Sequence, residues 1–68
     1  MEQSEKFAQA RILAEKVRSV CLKAAREGFE EASQDGLCNE GAIEVAIGAI
    51  QQLDLELIIK EAGGGEQE

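Results

Sequence analysis

The side chains best suited to chemistry collect in the stretch FEEASQDGLCNEGAIE, where carboxylates surround one thiol. Cys38 is the most reactive group there, because a helix is expected to begin beside it and a helix N-terminus favours a thiolate. The neighbouring carboxylates oppose that effect, and no histidine or lysine lies close in sequence to act as a base. We interpret Cys38 as a structural residue, with a redox or ligand-attachment role as the alternative.

The carboxylates of the same stretch are candidate metal ligands, since carboxylate oxygens suit hard cations. The stretch lacks the alternating aspartates of a calcium-binding loop, and the chain has no histidine for a di-iron bundle. A solvated acidic end is the simpler interpretation. The weak candidates are Glu27, Glu31, Asp35, Glu40 and Glu44.

No combination of residues indicates an enzyme. A nucleophile with its base and acid is not recognisable, and without histidine acid–base catalysis would depend on carboxylates alone. The glycine run at 63–65 is followed by neither lysine nor serine, as a phosphate-binding loop requires. We therefore expect no catalytic residue and no bound cofactor.

Composition narrows the class of protein further. A chain of 68 residues makes one domain with a small core, and its formal net charge of −7 disfavours nucleic acid and anionic membranes as partners. No apolar run has the length of a membrane span, and no signal peptide is recognisable. Cys21 and Cys38 then indicate reduced thiols in the cytoplasm.

Hydrophobic periodicity predicts an all-α fold of two long antiparallel helices, over about 4–34 and 39–62. Ser4 is the expected N-cap of the first helix, and Gly36 the left-handed residue that ends it. Either Cys38 or Asn39 starts the second helix. We expect residues 1–3 to fray, 4–62 to form a single helical-hairpin domain, and the Gly/Glu tail at 63–68 to be disordered.

Two apolar lines follow the second predicted helix. The first is expected to face the first helix, whose small residues Ala24, Gly28 and Ala32 permit close approach. Asp54 interrupts that line, either at an edge or as a polar residue that sets the register, with Arg18 as its nearest partner. The members of the first line are Ile43, Ala46, Ile50, Leu53 and Leu57.

The second line lies roughly opposite the first, and a helix that is apolar on two sides is normally buried on both. This line predicts a subunit interface in a homodimeric four-helix bundle or a higher homo-oligomer. Its members are Val45, Gly48, Gln52, Leu55 and Ile59.

These observations predict a non-enzymatic cytoplasmic adaptor or regulator that works as a homo-oligomer and has a further protein partner. The alternative is a small-ligand or metal-binding bundle that uses the acidic end and Cys38. In length and layout the chain resembles small helical-hairpin regulators that dimerise into four-helix bundles, such as plasmid copy-control hairpin proteins and phycobilisome-degradation adaptors. That resemblance implies a dimer. It rests on no shared motif, so it assigns no activity and no residue role.

Overall fold

The computed structural model describes the backbone of residues 2–62 and the side chains of 4–62. It contains helix α1 (Glu2–Gln34), helix α2 (Asn39–Gln51) and helix α3 (Leu55–Glu61). The described residues include no strand, so the predicted all-α class is confirmed. The predicted tail at 63–68 and the first residue of the predicted frayed N-terminus lie outside the described residues.

Helix α1 begins at Glu2, so Ser4 lies inside the helix rather than capping it. At its other end Gly36 has φ 97° and is the left-handed residue that the sequence predicted. The Gly36 N–H bonds the Ser33 carbonyl and the Leu37 N–H bonds the Ala32 carbonyl, each at 3.0 Å. These two bonds form a Schellman motif, which satisfies carbonyls that the helix end would otherwise leave free.

Cys38 is the N-cap of α2, and Asn39 is the first residue of the helix. Of the two predicted capping residues, the structure therefore has Cys38. Its backbone is extended and its carbonyl accepts a 2.8 Å hydrogen bond from the Ala42 N–H. Its side chain makes no capping bond. Leu37 lies over the first turn, because a Cβ atom placed on Gly41 would be 3.4 Å from Leu37 Cδ2.

The second predicted helix is divided in two, which corrects its predicted continuity over 39–62. Helix α2 ends at its C-cap Gln52, whose N–H bonds the Gly48 carbonyl at 3.0 Å. Asp54 is the N-cap of α3, and its carboxylate accepts a 3.2 Å hydrogen bond from the Leu57 N–H. An aspartate that bonds its own backbone competes with continued helix, which explains the break.

Asp54 therefore neither sets a register nor reaches Arg18 in this structure. Its carboxylate is occupied by its own helix, with Glu56 in the same first turn, where the helix dipole favours a negative charge. The salt bridge found among the described residues joins Arg11 and Glu15 at 3.2 Å. Both of those side chains are largely exposed, so the pair contributes little stability.

We expect Asp54→Ala to lower the free energy of unfolding by about 1 kcal/mol, because it removes the N-cap hydrogen bond. Asp54→Asn is the matched control, since asparagine caps a helix about as well as aspartate. Urea unfolding followed by circular dichroism measures both. An alanine variant as stable as the wild type would show that something other than this cap ends α2.

The chain divides into two compact units, and α1 contributes to both. One unit joins the residues up to Ser19 with those from Asp54 onward, and the other spans Val20–Leu53. In the first unit Ile58 is the buried residue, with 4% of its surface exposed. In the second unit the buried positions are held by Gly28, Ala32 and Ala42. No helix among the described residues combines the length and the apolar character that a membrane crossing requires.

Candidate interaction surface

Gly28 is a point of close approach between α1 and α2. A Cβ atom added there would lie 3.3 Å from the Ala46 Cα atom and 3.4 Å from the Ala49 Cβ atom. It would also lie 3.5 Å from the Val45 carbonyl oxygen. The backbones are so close because the residues that meet are glycine and alanine. No large side chain fits between the helices at this point.

The inner line of α2 consequently differs from the predicted one. Ala42 is fully buried, and Ala46 and Ala49 meet Gly28, so small residues face α1. The first predicted line shares Ala46 with this inner line, but it placed Ile43 and Ile50 at the contact where the structure has Ala42 and Ala49. Both isoleucines are exposed in the structure, because a close approach of two backbones favours the smallest side chains at the contact.

The large residues of α2 occupy one flank of the helix. Ile43 is 49% exposed, Ile47 45% and Ile50 37%. Their spacing keeps them on one side of the helix, beside the alanine line. We call these three residues the isoleucine flank. All three residues belong to unit Val20–Leu53 and are in contact with solvent.

The predicted subunit interface is distributed over two helices rather than along one. Val45 and Gly48 lie on α2, Gln52 is its C-cap, and Leu55 and Ile59 lie on α3. Val45, Leu55 and Ile59 are exposed, and a Cβ atom on Gly48 would meet nothing within 4 Å. Their role in an interface stays a prediction. The break between α2 and α3, which the predicted continuous helix lacks, has a signal in the sequence, because Asp54 followed by Glu56 is typical of a helix start.

The acidic end and Cys38 surround a shallow, open depression of about 410 Å³. It is lined by Cys38, Glu40, Gly41, Ile43 and Glu44. Cys38 is exposed and its thiol is free.

The predicted metal ligands do not assemble in this structure. Within the part of the chain that the structure describes, no three acidic or cysteine side chains come together as a metal ion would need. The five candidates, all exposed, are Glu27, Glu31, Asp35, Glu40 and Glu44.

Comparison with protein-family models, with curated proteins and with solved structures returned no match. The function is therefore inferred from the chain's own surface.

Proposed function

We propose that this chain is a non-enzymatic interaction protein that works as a homo-oligomer of helices. In its simplest form α1 and α2 are an antiparallel pair, and two copies associate as a four-helix bundle. One observation carries the proposal: the buried positions are mostly glycine and alanine, while most of the large apolar residues are exposed. Among the described residues, eleven large apolar side chains are at least 37% exposed, including Leu22, Ile43 and Ile47.

The energetics of burial support a second copy. A single core in a chain of this size rarely supplies more than about 3–5 kcal/mol. Here the core is poorer still, because within residues 4–62 no large side chain is fully buried. Burying an entire isoleucine or leucine side chain is worth about 1.5–3 kcal/mol, so covering a half-exposed one adds roughly 1 kcal/mol. An oligomer that covers several such residues gains stability that the monomer lacks.

The remaining features support an adaptor or regulator rather than a catalyst. The acidic outer surface suits a basic protein partner, and the net charge of −7 disfavours nucleic acid. Two free thiols, Cys21 and Cys38, fit the reducing conditions of the cytoplasm, which we propose as its location.

We expect the chain to be a dimer whose helical content falls when it dissociates on dilution, because the second copy supplies part of the folding free energy. Sedimentation equilibrium gives the assembly size, and circular dichroism on the same dilution series gives the helicity. A chain that stays monomeric and fully helical throughout the micromolar range would contradict the proposal.

The alternative function is binding of a small ligand or metal at the acidic end, and the open depression beside Cys38 is the observation in its favour. The separation of the acidic candidates weighs against the metal version. Equilibrium dialysis with divalent cations separates the two proposals, since a bundle that acts only through protein contacts binds none near micromolar concentration.

A further inference from the structure

We propose that the second copy docks on one particular side of unit Val20–Leu53, with the two-fold axis parallel to the helices. That side carries the isoleucine flank together with Leu22 and Phe29, and we call these five residues the apolar face. The inference rests on the proposed homo-oligomer and adds to it the surface and the arrangement.

The five residues share one side because each directly follows a residue of the inner line. Phe29 follows Gly28 on α1, and on α2 Ile43 follows Ala42. A step of one residue turns 100° around a right-handed helix. When two such helices run antiparallel, this step turns both toward the same side of the pair.

The rest of the apolar face obeys the same rule. Ile47 follows Ala46 and Ile50 follows Ala49, the two alanines that meet Gly28. Leu22, which is 55% exposed, follows the half-buried Cys21, which lies two turns before Gly28 and therefore on the same side of α1.

The opposite side of the same pair is a poorer docking surface. It holds the residues that precede the inner line, and Glu27, Gly41 and Gly48 are among them. On that side Val45 is a large apolar side chain in contact with solvent, with 40% of its surface exposed. Fully desolvated contacts at the centre of an interface are made mainly by large apolar side chains. The asymmetry between the two sides therefore selects the apolar face.

Charge at the edges of the apolar face identifies the occupant as a second copy. Arg26 lies at the outer edge of α1, beyond Leu22 and Phe29, with Lys23 and Glu30 next to it, so that edge has two basic residues and one acidic residue, a net charge of +1. The corresponding edge of α2 has Glu40 and Glu44, a net charge of −2. All five charged residues are exposed. The apolar face thus has a basic edge and an acidic edge, and a second copy presents the same two edges.

The two-fold axis follows from this pairing of edges. An axis parallel to the helices lays α1 of each copy on α2 of the other, so the arginine edge meets the glutamate edge twice. An axis across the helices would lay α1 on α1 and α2 on α2, so edges of like net charge would meet, which opposes association.

The decisive experiment compares Ile47→Glu with Val45→Glu. The two residues lie on one helix and are similarly exposed, at 45% and 40%, but face opposite sides. We expect Ile47→Glu to raise the dimer Kd about 100-fold or more, because the change occurs twice in a symmetric interface. We expect Val45→Glu to leave the Kd within about three-fold of wild type, because this proposal, unlike the second apolar line predicted from the sequence, places Val45 outside the contact.

The outcomes separate the two proposals. A wild-type chain that is monomeric in sedimentation equilibrium overturns the homo-oligomer itself. A dimeric wild type whose association withstands Ile47→Glu, or is weakened as much by Val45→Glu, overturns the apolar face alone.

A charge exchange tests the axis. Arg26→Glu and Glu44→Arg should each weaken self-association about ten-fold, since each variant puts like charges at both edges. A mixture of the two variants should recover wild-type affinity as a heterodimer, because both edge pairs become opposite in sign again. Native mass spectrometry detects the heterodimer. An axis across the helices already pairs like edges in the wild type, so single variants that associate as tightly as the wild type would overturn the parallel axis.

Discussion

Replacing Gly28 by leucine is expected to lower the free energy of unfolding by about 3 kcal/mol, through overpacking of a contact that has no spare room. The added Cβ atom alone would lie 3.3 Å from the backbone of α2, at Ala46 Cα. A backbone atom cannot rotate away as a side chain can, so the two helices must separate. A loss of this size is most of the stability expected of so small a core, about 3–5 kcal/mol.

Gly48→Leu is the matched control for this substitution. Gly48 lies in α2, and an added Cβ there has open space, with no side chain or neighbouring helix within 4 Å, so leucine does not force α1 and α2 apart. Leucine favours helix over glycine by about 0.5–1 kcal/mol, and we expect a gain of that order. Urea unfolding at one fixed protein concentration measures both variants. Equal stability of the two would mean that α1 and α2 do not approach closely at Gly28.

Replacing Ile58 by alanine is expected to cost about 2–4 kcal/mol, because the change leaves a cavity at a buried site. Ile58 is 4% exposed, whereas the next residue, Ile59, is 45% exposed. Ile59→Ala is therefore the matched control, with the same chemical change one position along α3. We expect it to cost less than about 1 kcal/mol of folding free energy, since less of its side chain is buried.

The same pair of variants separates folding from association. Thermal and urea unfolding report the loss at Ile58, and sedimentation of Ile59→Ala reports whether α3 belongs to a subunit interface. A weakened dimer with an unchanged fold would support the predicted role of Ile59. Similar losses of stability at both positions would show that α3 does not bury Ile58 in preference to Ile59.

Small and large apolar residues have different positions in this chain: the small ones form the contact between α1 and α2, and most of the large ones lie at the surface. Glycine and alanine bring α1 and α2 together at Gly28, Ala46 and Ala49, but such small groups bury little apolar surface. The isoleucines beside them keep theirs exposed. In the proposed oligomer a second copy covers those side chains, and the stability of the fold would then depend on concentration.

Local signals in the sequence were sufficient for the helical class and for the end of α1. Gly36 ends that helix because a left-handed residue is needed there and glycine adopts that conformation without strain. The division at Asp54 also had a local signal in the sequence. That signal conflicted with the apolar periodicity, which continues through 39–62 and predicts one uninterrupted helix. The structure follows the local signal: the Asp54 carboxylate accepts a hydrogen bond from the Leu57 N–H, and Glu56 lies in the first turn of α3, where the helix dipole favours it. The helix predicted over 39–62 is divided at this point.

Only the tertiary structure decided which apolar line faces inward. Alanine and isoleucine are both apolar, so the period of the pattern does not distinguish a line of Ala42, Ala46 and Ala49 from one that contains Ile43 and Ile50. The choice depends on how closely two backbones approach, and Gly28 sets that distance from the opposite helix. Size complementarity between residues far apart in the chain turned the small residues in and left the isoleucines at the surface.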